Sequence, residues 1–514
     1  MATTQKALAA VYCTAAFCVV AILCYEYLIA QAEADIDHVL SGTDIILNMV
    51  LIAFYLVLLL QVLLFGKKKG RASQKKLVTR IVLPLLLVCT IGECGFSLYQ
   101  NMYDRGDRSE YIYWMKDTRD AVAYMEDRQD GAFFRTDFDR FVTINEGSIY
   151  DFNGFSHFSS LAPGGISMLM EHLGVAAAGN SYRFYDTSPL LDAIFDVRYV
   201  LNRYGGFSAA DLGCKLVPDQ TFGTVRVGVN NRVLAPAFMT DRSVLDWKTT
   251  DSQPFEVQND FVRRAAGIDE DLFTIQKPAL IQATNMEVYN VNEVGDVFDY
   301  YLADPYNLDL VPSVHAEFVS DRDQYLCFYV DAPNAARFIY SSHTTSEDRE
   351  LSAGRSMINV GFVQAGETVL ADFVLTRRGI FDMCYPGGGS VKLFAAGWND
   401  DVFEKAFARL DREPLEITSF KDTQIRGSVD ASEDGILLTS IPYTAGWKAK
   451  VDGKSVRTEA VGDGGLVGVL MSSGHHEILL QYRSPFLIPA LISTLLGPVL
   501  FVLYLRLHRT GRLP

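Results

Sequence analysis

The residues Ala34-Asp-Ile-Asp-His38 set two carboxylates, Asp35 and Asp37, one position apart directly after a long apolar run. Carboxylates so spaced can act as a general base, or hold a divalent cation at a leaving phosphate, close to a membrane surface. A second stretch with chemical potential is Tyr150-Asp-Phe-Asn-Gly-Phe-Ser-His-Phe158. Its rings could stack on a sugar face while Asn153 and His157 hydrogen-bond the hydroxyls. The competing reading is a loop packed by its own aromatics. No G-x-S-x-G surrounds the nearby serines, so a nucleophile elbow is not indicated. Tyr443 and Trp447, in Pro442-Tyr-Thr-Ala-Gly-Trp447, offer another aromatic platform, although a β-sandwich needs such rings for its own core. Glu93 lies late in an apolar segment, where a carboxylate must face protein, reach the outer interface or take up a proton.

Other patterns exclude chemistry. His475-His476 have no further His or Cys at ligand spacing, so no metal site is expected. Gly462-Asp-Gly-Gly-Leu-Val-Gly468 misses the dinucleotide fingerprint by one position and reads as a turn. No cofactor is evident.

The elements that must position these residues begin with four apolar segments, about 7–30, 45–65, 81–99 and 485–505. Each is near the roughly 20 residues that a helix needs to cross a hydrocarbon core. They explain why 49% of the chain is hydrophobic and its mean hydropathy is +0.11. Lys67, Lys68, Lys69, Arg71, Lys75, Lys76 and Arg80 fall between the second and third segments; Arg506, Arg509 and Arg512 follow the fourth. The loop 32–44 has Glu33, Asp35, Asp37 and Asp44 and no cation. The positive-inside rule then puts 66–80 and the tail 506–514 in the cytoplasm, and 32–44 and 100–484 outside. Ala30-Gln-Ala32 would suit signal cleavage, but the apolar run before it is too long for a signal h-region.

This topology accounts for the acids of the first loop without chemistry, and a loop so short cannot build a large pocket. Asp35 and Asp37 are therefore expected to be loop residues. Outside 100–484 there are 11 Lys and Arg and 6 Asp and Glu, so with a whole-chain charge of −16 the outer region carries −21. That excess argues against a nucleic-acid partner and against adhesion to anionic headgroups. Of eight cysteines only Cys214, Cys327 and Cys384 fall outside the apolar segments, far apart and odd in number. One disulfide among them is open and none is indicated.

Within the outer region, 100–265 reads as α/β and 266–484 as short alternating strands of a β-sandwich or jelly roll. Helices are expected over 109–129, 167–174, 400–411 and the start of 189–203, which runs into a buried strand. Asp452-Gly453 is a hairpin turn signal.

Several stretches together resemble the YfhO family of bacterial membrane proteins. They are 150–161 followed by 169–174, then 189–203, 393–429, 436–456 and 466–485; Glu93 matches an acidic residue that the family tends to carry. Order and spacing agree over roughly 80–505. Members resemble GT-C type glycosyltransferases, polytopic enzymes that use polyprenyl-phosphate sugars outside the membrane, and are linked to sugar decoration of teichoic-acid-type polymers. They typically carry about a dozen spans, with the catalytic acid in the first outer loop; this chain has three apolar segments before its outer region.

The resemblance implies a multi-pass protein of the bacterial cytoplasmic membrane. Its partners would be the lipid bilayer, a polyprenyl-phosphate sugar, an envelope polymer and a second polytopic chain supplying the remaining helices. Two alternatives stand beside this accessory half of a glycosyltransferase system. One is a non-catalytic, membrane-tethered binding module; the other is a fragment of a longer enzyme with an upstream start.

Overall fold

The structure is a computed structural model that describes residues 108–129, 133–184, 187–204, 207, 216–249, 253–304, 310–332, 335–343, 346–351, 355–375 and 388–509, with single positions between 84 and 95. Asp35, Asp37, Glu93, Cys214, Cys384 and the first two expected spans lie outside the described residues, and the third is described only at scattered positions. What is described is largely β-sheet, ending in an apolar helix.

Helix α1 (Arg108–Gln129) packs Ala121, Val122 and Met125 against a sheet ordered β1 (Arg135–Phe138), β5 (Val197–Asn202), β7 (Val225–Asn230), β6 (Leu216–Phe222). β1 and β5 are parallel, so the chain must cross between them, and the crossover holds the aromatic stretch. It contains α2 (Glu146–Tyr150), the small sheet β2 (His157–Phe158), β4 (Ser181–Arg183), β3 (Ala176–Ala178), then α3 (Gly164–His172) and α4 (Pro189–Ile194). Ser188 caps α4 by accepting from the Leu191 amide, with Pro189 at the first helical position.

Two antiparallel sheets follow. One runs β10 (Leu280–Thr284), β13 (Ser313–Val319), β18 (Thr368–Leu375), β15 (Ala335–Ser341), β16 (Ser346–Glu350). The other runs β11 (Met286–Tyr289), β12 (Val297–Leu302), β19 (Gly388–Trp398), β14 (Gln324–Asp331), β17 (Arg355–Val363), with β9 (Phe273–Gln276) also on β19. Alternating side chains such as Val314, Phe318, Phe328, Phe338, Ile358 and Phe373 close one core between them.

A second pair of sheets ends the region. The first is β20 (Glu416–Lys421), β21 (Gln424–Ala431), β27 (Gly474–Tyr482), β23 (Trp447–Val451), β24 (Lys454–Val456). The second is β25 (Thr458–Val461), β26 (Leu466–Met471), β22 (Gly435–Pro442), β8 (Ala237–Thr240). Because β8 comes from far earlier in the chain, the C-terminal sheets cannot close without the first part of the region. A further core joins the crossover to the sheets that hold β5, β14 and β22. Helices α5 (Pro254–Ala266) and α6 (Asp400–Leu410) bury Phe255, Phe261, Val402 and Phe403 there, with Leu169, Phe238, Tyr329, Phe394 and Ile436.

β27 ends at Tyr482, and α7 (Leu487–Arg509) begins after four residues. Its segment Leu487–Tyr504 has mean hydropathy 2.1 and none of it is buried, so among the described residues it is the helix long and apolar enough to cross a membrane.

Candidate functional site

Arg135-Thr-Asp-Phe138 forms β1, a strand with its last three residues buried, whose one edge bonds β5 and whose other edge receives the aromatic stretch. Thr136 bridges Gly154 in parallel, and its amide donates to the Asn153 carbonyl at 2.9 Å. Asp137 completes the attachment. Its buried carboxylate accepts from the amides of Phe138 (2.8 Å), Phe155 (3.0 Å) and Ser156 (2.5 Å). Burial pushes this carboxyl up to about 7 against the pull of those amides.

The folded state holds the Asp137 proton more tightly than the unfolded chain, so stability falls as pH rises from the ordinary carboxylate range to about 7. Asp137→Asn removes the titration. Its denaturation midpoint, followed over that window, is expected to fall less steeply with pH than that of the unsubstituted chain; an equal slope would assign the decline to other groups.

Beside Asp137 lies a buried ion pair. Glu146 Oε1 accepts from Arg203 Nη1 at 2.8 Å and from the Val142 amide at 2.6 Å, and both side chains are inaccessible to solvent. The Arg203 guanidinium lies 3.7 Å from the Phe138 ring centroid, 5.3 Å from Trp114 and 5.5 Å from Tyr150. This pair fixes α2, and through it the start of the aromatic stretch, to β5.

Three rings of that stretch, Tyr150, Phe152 and Phe155, face inward, while Phe158 is exposed. Tyr150 and Phe152 lie near Phe138, at 6.3 and 6.1 Å, while Phe155 is packed by Tyr182, Phe184 and Phe195 at 5.4–5.8 Å. They are therefore core rings and not a sugar platform. Asn153 is exposed and His157 half-buried, its ring 5.9 Å from Tyr182. Partial burial lowers the His157 imidazole below its ordinary value.

Tyr443 and Trp447 stand at the two ends of the turn joining β22 to β23, both half-buried. Trp447 packs onto the C-terminal core and meets Tyr482 at 5.4 Å. The Tyr443 amide donates to the Gly465 carbonyl at 3.0 Å, and the Arg483 amide to that of Gly446 at 3.0 Å. A Cβ at Gly446 would fall 2.4 Å from the Tyr482 ring, so this close passage requires glycine.

The structure links the two aromatic motifs through one turn, Gly462–Gly465. A Cβ on Gly165, at the start of α3, would lie 2.3 Å from the Gly464 carbonyl oxygen. The path Gly165, Gly464, Gly465, Tyr443, Gly446, Arg483 therefore runs from the loop after His157 to the entry of α7. Contacts of this kind have no local sequence signal; repeated glycine at 164–165 and 462–465 is the trace they leave. Asp35, Asp37 and Glu93 lie outside the described residues and are not placed with respect to this end.

One arrangement escapes sequence reasoning. Ser472 Oγ, His476 and Asp452 line up as Ser–His–Asp, with Nε2 3.1 Å from the hydroxyl and Nδ1 2.8 Å from the carboxylate. Geometry argues against a nucleophile. Nε2 is also 3.2 Å from the Ser472 carbonyl oxygen, an acceptor only, which suits a ring that donates from Nε2 and has no lone pair for the hydroxyl proton. The Ser473 amide, the donor an oxyanion would need, already donates to Asp434 at 2.8 Å. The group locks an exposed hairpin, and its hydrogen bond to His476 holds the Asp452 carboxyl below its ordinary value. Among the described residues no cluster of His, Cys, Asp or Glu could hold a metal ion, and Cys327 is a buried free thiol.

The family model described as bacterial membrane protein YfhO matches residues 2–494, nearly the whole chain. The chain therefore belongs to the YfhO family and is a membrane protein of bacterial type. The match also takes in the segments before residue 80. An uncharacterized protein YfhO of Bacillus subtilis (strain 168) is 26% identical over 113 residues, which are 22% of this chain and 13% of that relative. The match thus spans only a small part of the relative's length. Among solved structures, a family two carbohydrate esterase from Cellvibrio japonicus aligns with 25% of this chain and 33% of its own, at 13% identity and TM-score 0.16. The arabinofuranosyltransferase AftD from Mycobacteria aligns with 55% of this chain and 29% of its own, at 8% identity and TM-score 0.13. Scores this low carry nothing about activity.

Proposed function

We propose that this chain is the acceptor-engaging or accessory part of a GT-C type sugar-transfer system of the bacterial envelope. It would have four spans, with its large β-rich region outside the cytoplasmic membrane. The donor class is a polyprenyl-phosphate sugar and the acceptor an envelope polymer of teichoic-acid type, with a second polytopic chain contributing further helices. The observation that carries this reading is the convergence of the start of α3, at Gly165, eight residues after His157, with the Tyr443–Trp447 segment, through Gly464 and Gly465, toward the entry of α7. A lipid-borne sugar is held at the bilayer surface, so an acceptor-handling surface belongs at this end of the fold.

In this reading Asp35 and Asp37 are loop acids. Cells lacking the chain are expected to lose sugar from the envelope polymer, and a chain with Asp35→Asn and Asp37→Asn to restore it. Restoration by the unsubstituted chain and not by this variant, at equal membrane insertion, would move the chemistry to that loop. The second reading, a non-catalytic tether, is favoured by the inward rings of Tyr150, Phe152 and Phe155, and predicts unchanged sugar content on deletion.

A further inference from the structure

We propose that the segment 158–163, from the last residue of β2 to the start of α3, is a monotopic membrane contact that dips into the outer leaflet beside α7. The proposal rests on reading α7 as a span with the β-rich region outside.

Sequence supplies the first argument. In a region whose charge is strongly negative, the chain runs from Phe152 to Met170 without one Asp, Glu, Lys or Arg. Gly435 to Trp447 is equally free of charge. These two uncharged segments are the ones that the Gly165–Gly464 contact and the Tyr443–Gly465 hydrogen bond bring together. Desolvating charged groups is the main obstacle to seating a protein surface on lipid; these two segments have none, and the turn that joins them adds one exposed acid, Asp463.

Exposure supplies the second. Leu161 is 92% exposed and Phe158 45%, and Met168 on α3 is also open to solvent. At the other end of the path Phe486, which precedes α7, is 77% exposed, continuous with the apolar surface of that helix. Single exposed apolar residues are ordinary, but a leucine displayed almost entirely, at the tip of an uncharged loop, is the form of a shallow membrane anchor. The half-buried Trp447–Tyr482 pair beside Arg483 has the composition found at headgroup level.

The loop backbone supplies the third. A segment entering lipid must satisfy its own polar groups. The Ser159 amide donates to the Asn180 carbonyl at 3.1 Å, that of Leu161 to Ser159 Oγ at 3.1 Å and that of Ala162 to the Ser159 carbonyl at 2.9 Å. Pro163, which follows, has no amide hydrogen to satisfy. The occupant argued for is thus lipid, and a protein partner is an outcome of the test.

The full-length chain with Leu161→Trp is reconstituted in phosphatidylcholine vesicles with and without lipid brominated near the headgroup end of its tails. Expected is added fluorescence over the unsubstituted chain, blue-shifted and strongly quenched by brominated lipid. Added emission at the wavelength of a water-exposed indole, or blue-shifted emission that the bromine leaves unchanged, would overturn the proposal, the latter by placing the residue against protein. Topology is read separately with Glu433→Cys, at the exposed β21–β22 tip, at the end of β22 away from Tyr443, in a chain that also carries Cys214→Ser and Cys384→Ser. Labelling of that thiol from outside intact cells by an impermeant maleimide supports the outer placement; its absence would defeat that placement, whatever Leu161→Trp shows.

Discussion

Arg203→Ala is expected to destabilise the region around β1, β5 and α1 by about 3–5 kcal/mol, the range for stranding one charge of a buried pair. Glu146 would keep its amide donors and lose its cation, and the Trp114, Phe138 and Tyr150 rings would lose the guanidinium they surround. The check is chemical denaturation of the detergent-solubilised chain, followed by near-ultraviolet circular dichroism. The double replacement Glu146→Leu with Arg203→Met removes both charges at similar volume and should recover most of the loss, because the pair's desolvation cost disappears with its attraction. A loss below about 1 kcal/mol for Arg203→Ala would mean that the pair is hydrated and behaves as a surface bridge.

Gly165→Val is the second large effect. The nearest atom to a Cβ there is a backbone oxygen, that of Gly464, which cannot rotate away. Relief requires α3 to lift from the Gly462–Gly465 turn, at a cost of about 1–3 kcal/mol for overpacking. Because Leu169 lies against Gly462 and Gly465, the lift also opens that contact. Hydrogen exchange is expected to quicken together in 157–170 and 443–447, two segments with no sequence proximity, while β14, β17 and β19 stay protected. Exchange that quickens in 157–170 alone would show that the two segments are not coupled through this turn.

The ease of reading these features from sequence followed their range along the chain. Periodicity in 109–129 announced α1, the run from Pro189 predicted a short helix passing into the buried strand β5, and 400–411 matched α6 with Asn399 as its cap. Asp452-Gly453 is a turn with both residues at positive φ, 52° and 76°, as the dipeptide requires. Helix α5 carries comparable signals, Pro254 at its start and Gly267 at its left-handed end, set among the mixed patterns before 266. The site was less accessible. Nothing local in Arg135-Thr-Asp-Phe138 tells that Asp137 points inward to three amides, since burial of an acid depends on the crossover that covers it. The choice between sugar platform and core for the Tyr150, Phe152 and Phe155 rings likewise needed the partners Phe138, Tyr182 and Phe195, which are local neither to them nor to one another.

The central claim is that sugar transfer to the envelope depends on the end of the fold at which α3 and the Tyr443–Trp447 segment meet on the Gly462–Gly465 turn. It is tested most directly by the sugar content of the envelope polymer in cells lacking the chain, complemented with the unsubstituted protein or with Gly165→Val at matched membrane abundance. The account predicts full restoration by the first and a large deficit with the second. Equal restoration by both, with hydrogen exchange confirming that the segments have separated, would contradict it.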